Sequence, residues 1–156
     1  MTKRSPFTLI ELLAVVAIIA LLAGLLLPAV MSSRNKAYEA KARGQIKNLQ
    51  IAIEQYAQEY SVLPDDSSYS TLINCLQNEG SYDGAGRGIP FLEVQGNSPG
   101  TYIDPWGNPY NVALDSDYDG QIPASDIAIS SDPVYATSAI WTDLLPDDTT
   151  RLKSWD

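Results

Sequence analysis

From Leu12 to Met31 the chain runs 20 residues without a charge. At 1.5 Å per residue such a run covers about 30 Å, the hydrocarbon thickness of a bilayer. It is too long for the apolar core of an ordinary secretory signal and fits a transmembrane helix. Glu11 stands at its start, where a helix bound only for lipid would carry Ser or Lys. An ionised carboxylate in a bilayer costs roughly 2.5–3.5 kcal/mol on insertion scales and usually has a partner. The natural partner is a cation from another chain, so the run reads as the membrane segment of a protein that assembles.

Lys3 and Arg4 precede Phe7-Thr8-Leu9-Ile10-Glu11-Leu12-Leu13 and the long Ala/Val/Ile/Leu run. This N-terminus resembles that of type IV pilins and type II secretion pseudopilins. The resemblance implies a leader, residues 1–6, removed by a prepilin peptidase that cuts before Phe7 and methylates the new amine. It implies that Glu11, fifth after the cut, pairs with the N-terminal amine of a neighbouring subunit. Pro28 stands where many of these proteins have a proline that lets the helix bend or melt in the filament. The family normally has Gly just before Phe; here Pro6 takes that place, with a fixed φ and no N–H.

Beyond the apolar run the helix does not obviously stop. Ala42, Ile46, Leu49, Ile53, Tyr56 and Tyr60 form an apolar stripe at the helical period, with Lys, Gln, Asn and Glu on the other faces. Residues 8–60 thus predict one helix of roughly 80 Å, weakest at Gly24 and Pro28, ended by Leu63-Pro64-Asp65-Asp66. A second helix is predicted over Ser70–Glu79, with Leu72, Ile73, Cys75 and Leu76 inward and Gly80 as its stop. Ser81–Gly88 reads as loop and Asn97–Gly100 as a turn, with a short strand at Phe91–Val94 between them. Further strands are expected at Tyr110–Leu114, Asp126–Ser130 and near Val134–Trp141. The fold class is α+β and resembles that of the type IV pilins. Residues 7–31 form the transmembrane half of a long helix and 32–61 its amphipathic half. Residues 62–156 form a small domain with a short antiparallel sheet.

Asp104-Pro105-Trp106-Gly107-Asn108-Pro109-Tyr110 resembles the G-type, major pseudopilin of type II secretion more than a type IV pilin, as does the Ser154-Trp155 ending. Physically the string is a rigid turn: two prolines and a glycine fix the backbone, and Trp106 and Tyr110 supply large area to bury.

Charge is placed unevenly. Residues 32–61 carry Arg34, Lys36, Lys41, Arg43 and Lys47 against Glu39, Glu54 and Glu59. From Val62 onward 15 acidic residues face Arg87, Arg151 and Lys153, a net charge of −12. A domain so acidic does not hold a nucleic-acid backbone by charge, but it can bind cations. Counted alone, the Lys and Arg that follow the apolar run place the domain in the cytoplasm. The resemblance implies the opposite, a single-pass protein of the bacterial inner membrane with its domain in the periplasm. That reading prevails because the leader motif is the more specific signal. Cys75, the one cysteine, rules out an intrachain disulfide and reads as a small buried hydrophobe. With no histidine and no nucleophile–base arrangement, the chain offers no sign of an enzyme.

Asp115-Ser116-Asp117-Tyr118-Asp119-Gly120-Gln121-Ile122-Pro123-Ala124-Ser125-Asp126 has the layout of a calcium loop. Carboxylates stand at positions 1, 3 and 5, Gly at 6 and Asp at 12; calcium takes six to eight hard oxygens, and such a spacing wraps an ion. Asp115, Asp117, Asp119 and Asp126 are the candidate ligands, with the backbone carbonyl of Gln121 at position 7 and a water expected at Pro123. The Asp at position 12 in place of Glu resembles dockerin loops. G-type pseudopilins bind calcium, so the resemblance also implies Ca2+, in a structural role. Asp115→Ala is expected to lower thermal stability in calcium and to change little in chelator. Asp132, Asp143, Asp147 and Asp148 read as solvated surface.

The resemblance implies a structural subunit of a type II secretion pseudopilus, a homo-oligomeric filament completed by minor pseudopilins. Its assembly would be driven by the secretion ATPase and its inner-membrane platform. The alternative within the superfamily is a type IV pilin or minor pilin for adhesion, motility or DNA uptake; many of these close a C-terminal disulfide loop that this chain cannot make. A membrane-anchored binding module or enzyme is the reading from a different class.

Overall fold

The computed structural model describes residues 8–77, 89–93, 100–127, 129–143 and 151–155. Helix α1 spans Leu9–Tyr60, 52 residues with Pro28 inside it, in agreement with the expected 8–60. A proline ring crowds the carbonyl four residues back, which here belongs to Gly24, where the backbone yields most readily. By its contacts the chain divides into two compact units, one ending at Ala37 and one beginning at Tyr38, so α1 contributes to both.

In the first unit the apolar side chains from Leu9 to Met31 described by the structure are exposed, Leu9 at 81% and Met31 at 67%. Among the described residues, α1 is the one helix long and apolar enough to cross a membrane.

The second unit is built on the remainder of α1. Ala42, Ile46, Leu49, Ile53 and Tyr56 are buried, so the stripe at the helical period is the face that meets the core. The helix ends at Tyr60 because Ser61 takes a φ of +56°, the left-handed conformation that stops helices; Pro64 follows, buried. Helix α2 spans Tyr69–Gln77. It starts one residue before the expected Ser70 because Ser68 caps it, its Oγ accepting from Thr71 N–H at 3.2 Å. Leu72, Ile73, Cys75 and Leu76 point inward as expected.

Strand β1 (Asn111–Leu114) pairs antiparallel with β2 (Ser138–Trp141), Asn111 opposite Trp141 and Leu114 opposite Ser138. The C-terminal segment adds to β2: Thr142 N–H donates to Leu152 C=O at 3.0 Å and Ser154 N–H to Ile140 C=O at 2.9 Å. Side chains alternate across a strand, and here both faces are covered. Val112, Leu114 and Ile140 join the main core with α1 and α2. Ala113, Ala139 and Trp141 face a smaller cluster with Ile122, Ile127 and Val134.

Among the described residues, two expected strands are not found. The backbone N–H groups of Phe91 and Leu92 both donate to Leu76 C=O, at 2.9 and 3.0 Å, so this segment closes the carboxyl end of α2. The described residues of Asp126–Ser130 form turns, with Asp126 N–H donating to Pro123 C=O and Ser130 N–H to Ile127 C=O. Pro123 cannot donate to a ladder, and pairing in this region goes instead to Ile122 opposite Val134. The expected Gly80 stop, the loop at Ser81–Gly88, Val94 and the positions of Asp147 and Asp148 lie outside the described residues.

Candidate functional site

The first candidate position is the head of α1. Thr8 precedes the helix and Glu11 lies in its first turn. Glu11 Oε2 accepts from Thr8 N–H and from the Thr8 hydroxyl, each at 2.8 Å, and Glu11 N–H approaches Thr8 Oγ1 at 3.4 Å. This is a capping box, in which residues three apart satisfy each other's orphan helix-end donors. The Thr-x-x-Glu spacing is its signature in the sequence, masked there by the pairing with a neighbour that the resemblance implies for Glu11. Pro6 and Phe7 lie outside the described residues.

The Asp104–Tyr110 turn is a hairpin closed by an Ile103–Pro109 bridge. Its pivot is the buried Asp104: one carboxylate oxygen accepts from Trp106 N–H at 2.9 Å and from Asn108 N–H at 2.8 Å. Gly107 takes φ +98° at the tip. Trp106 meets Tyr38 edge to face, centroids 6.2 Å apart, while Tyr110 is buried with its hydroxyl donating to Gln45 Oε1 at 3.0 Å. The arrangement fixes a turn against α1 and holds no reactive group.

The acidic loop leaves the end of β1. Asp115, Asp117 and Asp119 each bring one carboxylate oxygen to within 4.8 Å of the others. Oxygens bound to one calcium at about 2.4 Å stand at most about 4.8 Å apart, so the spacing of the three is compatible with a hard cation. Tyr118 at φ +60° and Gly120 at φ +85° fold the chain so that alternate side chains converge. The three carboxylates are held differently. Asp115 is buried, its two oxygens accepting from Asp119 N–H at 3.1 Å and Gly120 N–H at 3.0 Å. Asp119 accepts from Gln121 N–H and Gln121 Nε2, at 2.9 and 2.8 Å. Asp117 is exposed and takes no part in these bonds. Asp126 stands outside the trio and accepts from Ser125 Oγ at 3.0 Å. The loop also reaches across the fold: the Tyr118 hydroxyl accepts from Leu63 N–H at 2.9 Å. The acidic cluster could hold a metal ion. Nothing in the sequence signalled the Tyr118 contact, which joins residues 55 apart.

The family described as "Prokaryotic N-terminal methylation motif" matches residues 2–27. "Type II secretion system core protein G" of Pseudomonas aeruginosa is 32% identical over 114 residues, 69% of this chain and 72% of that one. The protein of the same name from Vibrio cholerae is 30% identical over 123 residues, 75% of each chain. That of Escherichia coli K12 is 33% identical over 113 residues, 69% of this chain and 70% of its own. No solved structure matches. With an apolar α1 headed by the N-methylation motif, and relatives alike over more than two thirds of their length, the chain belongs to the type II secretion core protein G family, the major pseudopilins.

Proposed function

We propose that the protein is a structural subunit of a type II secretion pseudopilus and not an enzyme. It would sit in the inner membrane, with the second unit in the periplasm, and be cut before Phe7 and methylated there by a prepilin peptidase. The secretion ATPase and its membrane platform would then draw it into a homo-oligomeric filament together with minor pseudopilins. The observation that carries this reading is the exposed apolar half of α1 with a single carboxylate, Glu11, at its head. A helix with such a face is at home in lipid or among identical helices, and the carboxylate at its start selects the second. The relatives are named for type II secretion, so the type IV pilin alternative is not favoured.

The test is Glu11→Leu in the full chain, followed by shearing and pelleting of filaments. The variant is expected to reach the membrane with its second unit folded and to yield no pelletable filament. A plain membrane anchor would lose nothing by the change, and filaments at the wild-type level would reject the reading.

The cation of the acidic loop would be Ca2+. Asp115, Asp117 and Asp119 are its proposed carboxylate ligands, completed by the Gln121 carbonyl, by Asp126 moving inward or acting through water, and by solvent. The ion would stabilise the folded unit by offsetting the mutual repulsion of these carboxylates. Because Asp115 also holds two backbone N–H groups, Asp115→Ala removes more than a ligand and should destabilise even in chelator. Asp117→Asn is the cleaner probe. At calcium a hundredfold above its dissociation constant, wild type should gain about 2.7 kcal/mol. Asp117→Asn should melt like wild type in chelator and gain far less from calcium; an equal calcium-induced rise in both proteins would remove Asp117 from the ligand set.

A further inference from the structure

We propose that Tyr118 is a latch that carries metal occupancy of the 115–126 loop to the carboxyl end of α1, an inference that rests on the calcium reading of that loop. Tyr118 stands between Asp117 and Asp119, two of the three carboxylates that converge within 4.8 Å. Its backbone is in the left-handed region at φ +60°, which a tyrosine seldom adopts unless its surroundings impose it. Tyr118 is 60% exposed, so packing alone does not hold it. What it does make is a hydrogen bond, its hydroxyl accepting from Leu63 N–H at 2.9 Å. Leu63 is the third residue beyond α1, just after the left-handed Ser61 that ends the helix, and its side chain is buried in the main core.

These facts form one chain of cause. An ion that draws Asp117 and Asp119 towards one point fixes the backbone of the residue between them. A fixed backbone at Tyr118 fixes where its ring points, and the ring places the hydroxyl at Leu63. With the ion removed, carboxylates this close repel one another. The loop opens, the left-handed Tyr118 relaxes, and Leu63 N–H loses its acceptor to water. The end of α1 then becomes the segment whose local opening reports the state of the loop.

The experiment is residue-resolved amide exchange on the full chain in detergent micelles, in calcium chloride and in chelator, for wild type and Tyr118→Phe, with calcium binding measured separately on both. The expected result is that calcium slows exchange at Leu63 by about tenfold or more in wild type, a change that local opening free energies readily reach. Tyr118→Phe, in calcium enough to saturate it, should show no such slowing, because the ring remains and only the acceptor is lost, and it should bind calcium more weakly by about the same factor, since the coupling of ion and bond is reciprocal. Calcium binding to wild type with no change at Leu63 overturns the latch, as does equal slowing in Tyr118→Phe. A wild-type protein that binds no calcium overturns the calcium reading, and the latch with it. Should Tyr118→Phe fail to fold, the wild-type comparison of calcium with chelator still decides.

Discussion

Asp104 and Asp115 show how single residues shape this domain. Both are buried, and both use their carboxylates to collect backbone N–H groups of the turn they begin. Aspartate suits this because its short side chain reaches the chain two to five residues on. The sequence made the turn around Trp106 legible through its prolines and glycine, but gave Asp104 no task, since a capping carboxylate and a solvated one look alike in a string. Gly100 carries a sharper demand. It has φ +70°, and a Cβ there would lie 2.8 Å from Asn74 Oδ1. Gly100→Ala should therefore cost about 1–3 kcal/mol in thermal or urea unfolding, from backbone strain and the shift forced on Asn74. Buried tyrosines set a pH limit. Burial pushes Tyr69 and Tyr102 up to about 12 and Tyr110 higher still. An unfolded tyrosine ionises near about 10, so stability is complete below that pH and falls as pH rises through 10 towards 12. Circular dichroism along an alkaline titration should show unfolding in that window. Tyr69→Phe should lower stability at neutral pH by losing its bond to the Tyr102 carbonyl, while removing one of the groups that titrate.

At the level of elements, the long helix was legible because its two halves follow two simple rules. Uninterrupted apolar sequence gives one, and apolar residues at the helical period give the other. The stripe from Ala42 to Tyr56 is buried as the period requires. Ile53 has no exposed surface in that stripe, and Ile53→Ala should destabilise the second unit by about 2–5 kcal/mol in denaturant unfolding, through lost burial and the cavity left behind. A loss under 1 kcal/mol would mean that the site collapses freely or that the helix is not packed there. Strands were harder to read. Those of the sheet are four residues each, β2 buried throughout and β1 buried only at Ala113 and Leu114, so they lack the long polar–apolar alternation that announces a half-buried strand. Phe91–Val94 and Asp126–Ser130 carry similar short apolar patterns, which predict strands on the same grounds. Their described backbone is committed to closing α2 and to turns, decisions made by contacts far away in sequence. The Gln45–Tyr102–Tyr110 bonds, across 57 and 65 residues, were invisible for the same reason.

The chain joins an exposed apolar segment, long enough to cross a membrane, to an acidic second unit. The proposed function turns on which side of a membrane that acidic unit would lie. The basic residues after the apolar run argue for the cytoplasm by charge alone, whereas the N-methylation motif and the relatives argue for export. Pro6 sharpens the question, because its locked φ and missing N–H would alter how an extended substrate chain is held just before the proposed cut. The two arguments make different proteins, and intact mass of the chain purified from its native membrane separates them. A mass that begins at Phe7 and carries one added methyl is expected, and would mean that the peptidase accepts proline at this position. The free methylated amine would then be available to the Glu11 carboxylate of a neighbour, which Thr8 holds in the isolated chain. A mass that retains Met1–Pro6 would leave that amine on the far side of six residues. Glu11 would then have only Thr8 to bond, and the chain would be an anchored relative that does not enter the filament.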